Sequence, residues 1–161
     1  MGVKILAIET SCDETAIAIL DIKGKKVSKF NILSNIVSSQ TEVHKQYGGV
    51  FPMMAKREHQ ANLVPVLTQA LKLSKLAKPK SKIINLYPPK FLKKTWEGEQ
   101  IQVLKFKNIG KILERENTLY NNLKRFLEKY EQPNIDLIAV TNGPGLEPCL
   151  WVGVNFAKAL S

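Results

Sequence analysis

Few features of secreted, disulfide-linked or membrane-spanning proteins occur in these 161 residues. Two cysteines, Cys12 and Cys149, are too few for a disulfide framework. No apolar run is long enough for a membrane span. Glu9 and Asp13 interrupt the apolar N-terminal stretch, which argues against a secretory signal. Hydrophobic residues still make up 44% of the chain, enough to build a core. We therefore expect a cytoplasmic protein without a membrane partner, forming one domain or one piece of a larger one.

Compact metal-binding and phosphate-binding motifs are also missing. Cys12, His44, His59 and Cys149 could supply metal ligands, but no two of them have a short spacing such as CxxC or HxxxH. The glycine loop at residues 143–145 is not followed by Gly-Lys-Ser/Thr, and its glycine spacing is not that of a dinucleotide-binding loop. We expect two buried thiols, two surface or hydrogen-bonded imidazoles, and no metal held by this chain.

Acidic residues are scarce in the middle of the chain. The segment from Lys72 to Tyr130 contains 15 Lys and Arg but only 5 Asp and Glu, whereas the remainder contains nine of each. The whole formal charge of +10 therefore lies in this segment. Such a clustered excess favours a polyanionic partner such as RNA. A solvated surface that keeps the protein soluble is the alternative.

Apolar and β-branched residues predict three strands, at 3–9, 15–21 and 27–38. Lys23-Gly24-Lys25 signals a tight turn, and consecutive strands with short connections suggest an antiparallel meander. One face of the third strand is expected to carry Phe30, Ile32 and Ser34.

Two helices are predicted in the middle of the chain. One begins at Pro52, whose fixed φ suits a first helical turn, and Pro65 should kink it. Its apolar stripe comprises Met54, Ala61, Val64, Leu67 and Leu71. The other helix runs from Ile109 to Tyr130. Residues 78–108 between them are basic and irregular. Short strands are expected there at Ile83–Leu86 and Ile101–Phe106.

The last part of the chain returns to an α/β order. "IDLIAVTNGPGL" is predicted as a strand that runs into a glycine loop, and "EPCLWVGVNFAKALS" as the helix that follows. Anions often bind where a strand, a glycine loop and a helix start come together. A plain connection between strand and helix is the alternative.

Near the N-terminus, the polar stretch "ETSCDET" separates two apolar runs. Asp13 and Glu14 are adjacent, so on a strand they point to opposite faces and cannot act as a side-by-side carboxylate pair unless the turn distorts the chain. One of them could face a cleft and orient water, a metal or a hydroxyl. A nucleophile at Cys12 would need a neighbouring base. A hairpin turn closed by hydroxyl side chains is the structural alternative.

Three segments together resemble the TsaD family of tRNA adenosine threonylcarbamoyltransferases. They are "ILAIETSCDETAIAI", "YGGVFPMMAKREHQANLVPVLTQAL" and "IDLIAVTNGPGLEPCLWVGVNFAKAL". They come in the family's order and cover most of the chain outside residues 76–132. The resemblance implies an α/β fold of the actin/sugar-kinase/HSP70-like (ribonuclease H-like) class. This chain would supply half of that fold: a three-stranded meander, a helix, a basic insertion at 76–132, a strand and a helix.

The resemblance also implies a reaction. The family transfers a threonylcarbamoyl group from threonylcarbamoyl-adenylate to N6 of adenosine 37 in tRNAs that read codons starting with A. It implies tRNA and TsaB-like and TsaE-like proteins as partners. The complete family protein binds a metal ion, iron or zinc, together with the adenylate or ATP.

The family's metal motif, His-Met-Glu-Gly-His, normally follows the helix that ends "NFAKAL". Residues 1–161 are therefore expected to be an N-terminal half that is inactive alone and that needs a C-terminal half as its partner. A non-catalytic, TsaB-like scaffold subunit of the same modification complex is the alternative.

Site residues are implied only at positions that match the family. Asp13 and Glu14 are the catalytic candidates. The substrate-binding candidates are Ser11 in the same hairpin and, in the "GPGL" loop, Gly143, Pro144 and Gly145. The helix that begins at Pro52 is implied to contact the TsaB-like partner through Arg57, His59, Val64 and Leu67. No metal ligand is implied.

Aromatic residues are interleaved with the lysines of the basic insertion. They are Tyr87, Phe91, Trp96 and Phe106. They could stack on RNA bases beside phosphate-binding lysines. The alternative is that they form the small core of the insertion itself.

Overall fold

A computed structural model describes residues 2–23, 30–80 and 106–161. Three antiparallel strands come first: β1 (Val3–Glu9), β2 (Glu14–Ile22) and β3 (Phe30–Ser39). The predicted meander is confirmed, and residues 27–29 of the predicted third strand lie outside the described residues. Part of the predicted turn at Lys23-Gly24-Lys25 lies outside the described residues.

Helices make up most of the remaining described chain. A short helix α1 (Thr41–Lys45) leads to the long helix α2 (Pro52–Leu73). The described part of α3 covers residues 106–112, and α4 (Asn117–Lys129) follows. Strand β4 (Leu137–Val140) and helix α5 (Glu147–Leu160) complete the chain. No described helix is both long enough and apolar enough to cross a membrane.

The sheet has the strand order β3-β2-β1-β4. β4 pairs with β1 in parallel, so the chain must cross over the sheet between β3 and β4. Helix α2 contacts β2 and β3, α5 contacts β1 and β4, and α2 also contacts both α4 and α5. The result is a mixed α/β architecture with α2, α4 and α5 forming a connected layer on the sheet, in agreement with the predicted fold class.

The core lies between the sheet and this helical layer. Leu6, Ile8, Ile17 and Ile19 point from β1 and β2 into the helices and are at most 3% exposed. Phe156 of α5 is completely buried with them. The other surface of the sheet, hereafter the open face, contains the alternate strand residues. Its exposed large apolar side chains are Val3, Phe30, Ile32, Val37 and Leu137.

The predicted face of β3 is wrong at one residue. Ile19 pairs with Ser34, but the next residue, Leu20, pairs with Ile32, so β3 contains one extra residue at this point. Such a bulge reverses the alternation of side chains along the bulged strand. Phe30 and Ile32 therefore lie on the open face, whereas Ser34 is buried on the opposite side.

The single helix predicted from Ile109 to Tyr130 is also wrong, because a turn at residues 113–116 divides it into α3 and α4. The break comes just before Asn117 and Thr118, two residues of low helix propensity. Ile109 and Leu113 on one side, and Leu119 and Leu123 on the other, are all buried. In contrast, α2 continues through Pro65 without a break. The strands predicted at Ile83–Leu86 and Ile101–Phe106 fall outside the described residues, except Phe106, which is helical.

Candidate functional site

The polar stretch near the N-terminus forms the turn between β1 and β2. Thr10 is fully buried, and its hydroxyl donates a hydrogen bond to the carbonyl of Cys149 at 2.9 Å. The Ser11 amide donates to Glu9 Oε1 at 2.6 Å. The Glu9 carboxylate thus closes the turn locally, whereas the Thr10 hydroxyl, which the structural alternative expected to bond within the turn, ties the hairpin to helix α5.

The glycine loop packs directly on this hairpin. Gly145 has a φ of +157°, and a Cβ built on it would lie 2.6 Å from the Ser11 carbonyl oxygen. The next amide, Leu146 N, donates to that same oxygen at 2.7 Å. No side chain fits in this space, so Gly145 is required by the close approach of two backbones. Gly143, with a φ of +150°, has open space around its Cβ position.

Helix α5 makes a second close approach to the hairpin. A Cβ built on Gly153 would overlap Thr10 Oγ1 and would lie 3.4 Å from a methyl group of Val140. This absence of a side chain lets the first half of α5 lie against the ends of β1 and β4. Because β1 and β4 are parallel, the hairpin and the glycine loop both leave the sheet at the same carboxyl edge. Ligands of α/β proteins usually bind at that edge.

A buried network of hydrogen bonds connects the hairpin to helix α2 through His59. His59 Nε2 lies 3.1 Å from the Cys12 carbonyl, which can only accept, so Nε2 carries the proton. His59 Nδ1 therefore accepts from Thr15 Oγ1 at 2.8 Å and from Gln40 Nε2 at 3.2 Å. In turn, Gln40 Oε1 accepts from His44 Nε2 at 3.1 Å. One consistent set of proton positions thus satisfies the network.

Burial lowers the pKa of His59 below its usual 6.5, although the nearby charges of Glu9, Asp13 and Glu58 act in the opposite direction. His59 is therefore a neutral structural group at physiological pH. Burial alone would raise the pKa of Glu9, but hydrogen bonds from Ser11 and Thr141 outweigh it and lower that pKa below 4.5. Glu9 thus remains a carboxylate at the base of the turn.

Neither thiol has the properties of a nucleophile. Burial, followed by the neighbouring Asp13, raises the pKa of Cys12 above 9.0. Burial raises the pKa of Cys149 to about 11. His59 contacts the backbone carbonyl of Cys12 through Nε2, so this imidazole is already engaged in the turn. Attack by sulfur requires a thiolate, and both environments oppose its formation.

Comparison with known proteins places these features in a family. The family model described as "TsaD: tRNA N6-adenosine threonylcarbamoyltransferase" matches residues 31–85 and 117–161. The chain belongs to the TsaD family. The family model does not match residues 86–116. These residues belong to the segment that contains the excess positive charge.

Several curated proteins named tRNA N6-adenosine threonylcarbamoyltransferase are similar to this TsaD-family chain. The protein from Thermosipho melanesiensis is 34% identical over 157 residues, which cover 98% of this chain and 30% of that protein. The protein from Protochlamydia amoebophila is 36% identical over 157 residues, covering 98% and 28%. The protein from Persephonella marina is 52% identical over 69 residues, covering 43% and 18%. The chain thus spans under a third of the length of these relatives.

Of the predicted TsaD site residues, the structure brings Ser11 and Gly145 into contact. Asp13 lies partly buried in the turn. Its backbone carbonyl oxygen accepts a hydrogen bond from the backbone N–H of Gln40 at 2.9 Å. Glu14, the first residue of β2, is exposed. Pro144, preceded by a cis peptide bond, is exposed at the tip of the loop.

The four residues predicted to contact a TsaB-like partner do not share one surface. His59, Val64 and Leu67 are at most 6% exposed and pack inside this chain, whereas Arg57 is exposed. The same helix presents Met53 and Leu73 to solvent, each more than half exposed. The exposed residues of α2 include Met53, Arg57, Pro65, Gln69 and Leu73. They are spread around the helix, since Met53 and Leu73 at its two ends point to nearly opposite sides.

Two residues that shape the site, Gln40 and Gly153, were missed from the sequence. Their partners His59 and Thr10 are distant in the chain, so no short-range spacing signals them. Among the described residues, no group of three or more His, Cys, Asp or Glu could hold a metal ion. The described part of the chain therefore does not fit the family's metal, and we derive no step through one.

One cavity of the described chain lies away from the hairpin. It has a volume of about 740 Å³ and is lined mainly by apolar residues near the start of β4 and the end of α5, such as Leu137, Ile138 and Leu160. None of the candidate residues of the hairpin or the glycine loop lines it. This cavity therefore does not coincide with the candidate site.

Proposed function

We propose that this chain supplies the hairpin and glycine-loop part of a tRNA N6-adenosine threonylcarbamoyltransferase. The reaction would transfer threonylcarbamoyl from its adenylate to N6 of adenosine 37, in tRNAs that read codons starting with A. The observation that supports this most directly is the contact between Ser11 and Gly145 at the carboxyl edge of the sheet. A cytoplasmic location agrees with such a substrate and remains a prediction.

The proposed chemistry is an acyl transfer. The N6 amine of adenosine attacks the carbonyl carbon of the threonylcarbamoyl group, the bond to the adenylate phosphate breaks, and AMP leaves. The amine must lose one proton, and a carboxylate at the rim of the turn is a suitable acceptor. We assign this role to Asp13 ahead of Glu14, because Asp13 is partly buried in a braced turn whereas Glu14 is exposed.

The two glycines of the loop receive different roles. Gly145 has no room for a ligand, because the hairpin already occupies the space beside it. Gly143 has no atom within 4 Å of its Cβ position, so a substrate could approach the backbone there. We therefore assign substrate contact to Gly143 and Pro144, and a positioning role to Ser11 and Gly145.

We also propose that the 161 residues are inactive alone. The chain matches under a third of the relatives that carry the activity in their names. The test is a transfer assay with tRNA and threonylcarbamoyl-adenylate. We expect no modified nucleoside from the chain alone. We expect modification when the unmatched part of a relative is co-expressed with it, together with TsaB-like and TsaE-like proteins. Modification by the purified chain alone would falsify this proposal.

A non-catalytic scaffold subunit is the second candidate, and an exposed apolar side chain at the start of α2 favours it. Met53 is more than half exposed there and could dock a partner. Asp13→Asn in the assembled enzyme separates the two functions. A catalytic role predicts a loss of on the order of 10²-fold or more in kcat. A scaffold role predicts unchanged kcat, with the activity lost instead in Met53→Lys.

For the basic segment we propose phosphate contacts with tRNA. Exposed cations in its described part include Lys107 and Lys111 on α3, and Lys124 and Arg125 on α4. Because α4 packs on α2 and contributes to the core, deleting the whole segment would damage the fold. The sharper test replaces these four residues by Glu in the assembled enzyme. The affinity for tRNA should fall and its salt dependence should flatten, with Lys45→Glu as the control. An unchanged salt slope would exclude this role.

A further inference from the structure

An exposed aromatic pair lies in the loop between α1 and α2. The rings of Tyr47 and Phe51 are stacked, with their centroids 5.6 Å apart and their planes inclined by 25°. The two residues are 51% and 50% exposed. Aromatic rings at this separation attract each other, so the pair is ordered before any ligand binds. Exposed rings of this kind offer a flat surface on which any nucleobase can stack.

The backbone of this loop is fixed by His44. The Tyr47 amide donates to the His44 carbonyl at 2.9 Å, and the Phe51 amide donates to His44 Nδ1 at 3.4 Å. His44 Nε2 carries the proton, because it donates to Gln40 Oε1, so Nδ1 can accept from Phe51. His44 itself is only 4% exposed. Both aromatic residues are thus anchored to one buried imidazole residue.

The same network connects the loop to the candidate site. Gln40, whose side chain accepts from His44, donates its backbone N–H to the Asp13 carbonyl at 2.9 Å. Side chains four residues apart on a helix are about 6 Å apart and each hydrogen bond spans about 3 Å, so the Phe51 amide lies within roughly 15 Å of Asp13. Strand β3 ends beside the start of β2, so the loop follows at the same edge of the sheet as the hairpin.

The loop is open and uncharged beside the two rings. No atom of the described chain lies within 4 Å of the Cβ positions of Gly48 and Gly49, so a ligand can approach the backbone there. Gly48 has a φ of +70°, which residues with a side chain rarely adopt. None of residues 46–51 is charged, and the preceding Lys45 is paired with Glu42. Stacking, rather than attraction to phosphate, is therefore the contact that this loop offers.

We propose that the Tyr47–Phe51 pair stacks on a base of the tRNA that lies at most about four nucleotides from the modified adenosine. Stacked bases are about 3.4 Å apart along a strand, so about four of them span the distance between Asp13 and the pair. The inference rests on the proposed function, since it takes Asp13 as the residue beside the reacting amine. The substrate strand is favoured over a protein partner, because the neighbours of that adenosine must lie beside the turn that receives its N6 atom.

The test measures RNA binding by the assembled enzyme and needs no chemical step. An RNA hairpin with the sequence of the tRNA anticodon arm carries the fluorescent base 2-aminopurine, in turn, at each position near the adenosine. Binding should change the fluorescence at one position or more, because stacking alters the emission of this base. Tyr47→Leu and Phe51→Leu keep an apolar side chain but remove the ring. Each should abolish that change and weaken RNA binding by about fivefold or more, with the salt dependence of binding unchanged.

Two matched controls isolate the contribution of the rings. Tyr47→Phe keeps the ring and should leave the RNA affinity within about twofold of the parent. Phe30→Leu removes an aromatic ring of similar exposure, 59%, at the opposite end of the sheet from the hairpin. It should also leave the affinity within about twofold, because the proposed strand does not reach that end.

Two results would overturn the proposal. One is an RNA affinity that neither Tyr47→Leu nor Phe51→Leu changes. The other is a weakened assembly with the TsaB-like or TsaE-like protein in these variants, with RNA bound as tightly as by the parent once assembled, which would make a protein the occupant. If both variants lose the fluorescence change as expected but the parent enzyme modifies no tRNA, the proposed function fails and this inference stands.

Discussion

The two faces of the sheet are made of the same strands and of similar residues, but their environments are opposite. Leu6, Ile8, Ile17 and Ile19 are almost completely buried under the helices, whereas Ile32 and Leu137 are more than half exposed. Composition therefore does not distinguish the faces. The difference comes from which face the described helices pack against, and this arrangement leaves one apolar surface that the described residues do not cover.

The largest expected effect comes from truncating one isoleucine on each face. Ile19→Ala removes a fully buried side chain and should lower the free energy of unfolding by about 2–5 kcal/mol, because a cavity is left in the core. Ile32→Ala removes a side chain that is 61% exposed and should change it by no more than about 0.5 kcal/mol. Urea denaturation of the isolated chain measures both.

Equal destabilisation of the two variants would contradict the difference between the two faces. Equal losses would mean that the open face is already covered in the isolated chain, for example by a second copy. Repeating the measurement at several protein concentrations separates these cases, since the stability of a dimer depends on concentration.

The sequence predicted the three strands of the meander but placed Ser34 on the wrong face of β3, for a physical reason. Alternating apolar residues determine that a strand forms, but a single extra residue in β3 exchanges its two faces beyond Ile32. That extra residue is visible only from the pairing with β2. Similarly, the split between α3 and α4 depends on packing that buries Leu113 and Leu119 together, which the helical period alone does not reveal.

The next effect concerns two glycines in helices. Gly153→Ala on α5 places a methyl group against the Thr10 hydroxyl and should cost about 1–3 kcal/mol, because this contact lies inside the packed face. Gly110→Ala on α3 is the matched control, since its new methyl group would lie 3.6 Å from the Tyr120 ring, an ordinary contact. It should stabilise the protein by about 0.5–1 kcal/mol, because alanine favours helix.

Thermal unfolding of both glycine variants provides the measurement. A Gly153→Ala protein as stable as the parent would show that α5 can move away from the hairpin. Combining Gly153→Ala with Thr10→Ala would sharpen the result, because alanine removes the hydroxyl oxygen that the new methyl group overlaps. If crowding at this contact causes the loss, the double variant should lose less stability than the sum of the two single losses.

The candidate site was likewise only partly visible in the sequence. The hairpin and glycine loop were found because their residues are contiguous, and the resemblance to the TsaD family connected them. The bracing by Gln40, His44 and His59 was not found, because its hydrogen bonds join residues up to 47 positions apart. Two isolated histidines have no sequence pattern that separates a surface imidazole from a buried one.

A smaller effect, on pH dependence, should distinguish the two sides of the hairpin. The pKa of His59 is lowered on folding, so the unfolded chain binds the proton first as the pH falls. Its contribution to stability is complete above 6.5 and is lost progressively below that pH. The pKa of Glu9 is also lowered, so its contribution is complete above 4.5 and is lost only at more acidic pH.

The melting temperature measured from pH 8 to about pH 3 should therefore fall in two stages. His59→Gln keeps a donor for the Cys12 carbonyl and an acceptor for Thr15 but does not titrate in this range. It should remove the first stage and leave the second. Glu9→Gln should do the reverse. A first stage that survives in His59→Gln would assign the loss to another group and would contradict a neutral, buried His59.

The smallest expected effect is a difference in thiol reactivity. Cys12 is partly exposed in the hairpin, whereas Cys149 is fully buried under the helical layer, with a pKa raised to about 11. Because only the thiolate reacts with iodoacetamide, both should be alkylated more slowly at pH 7.5 than a free cysteine. Cys12 should react in the native protein, and Cys149 only after local or global unfolding.

Mass spectrometry of peptides over time, with Cys12→Ser as the control, measures the two rates. Fast alkylation of Cys149 in the native state would mean that α5 separates from the sheet readily. The face under the helices would then also be exposed to solvent part of the time, and the two faces would differ only in how often they are exposed.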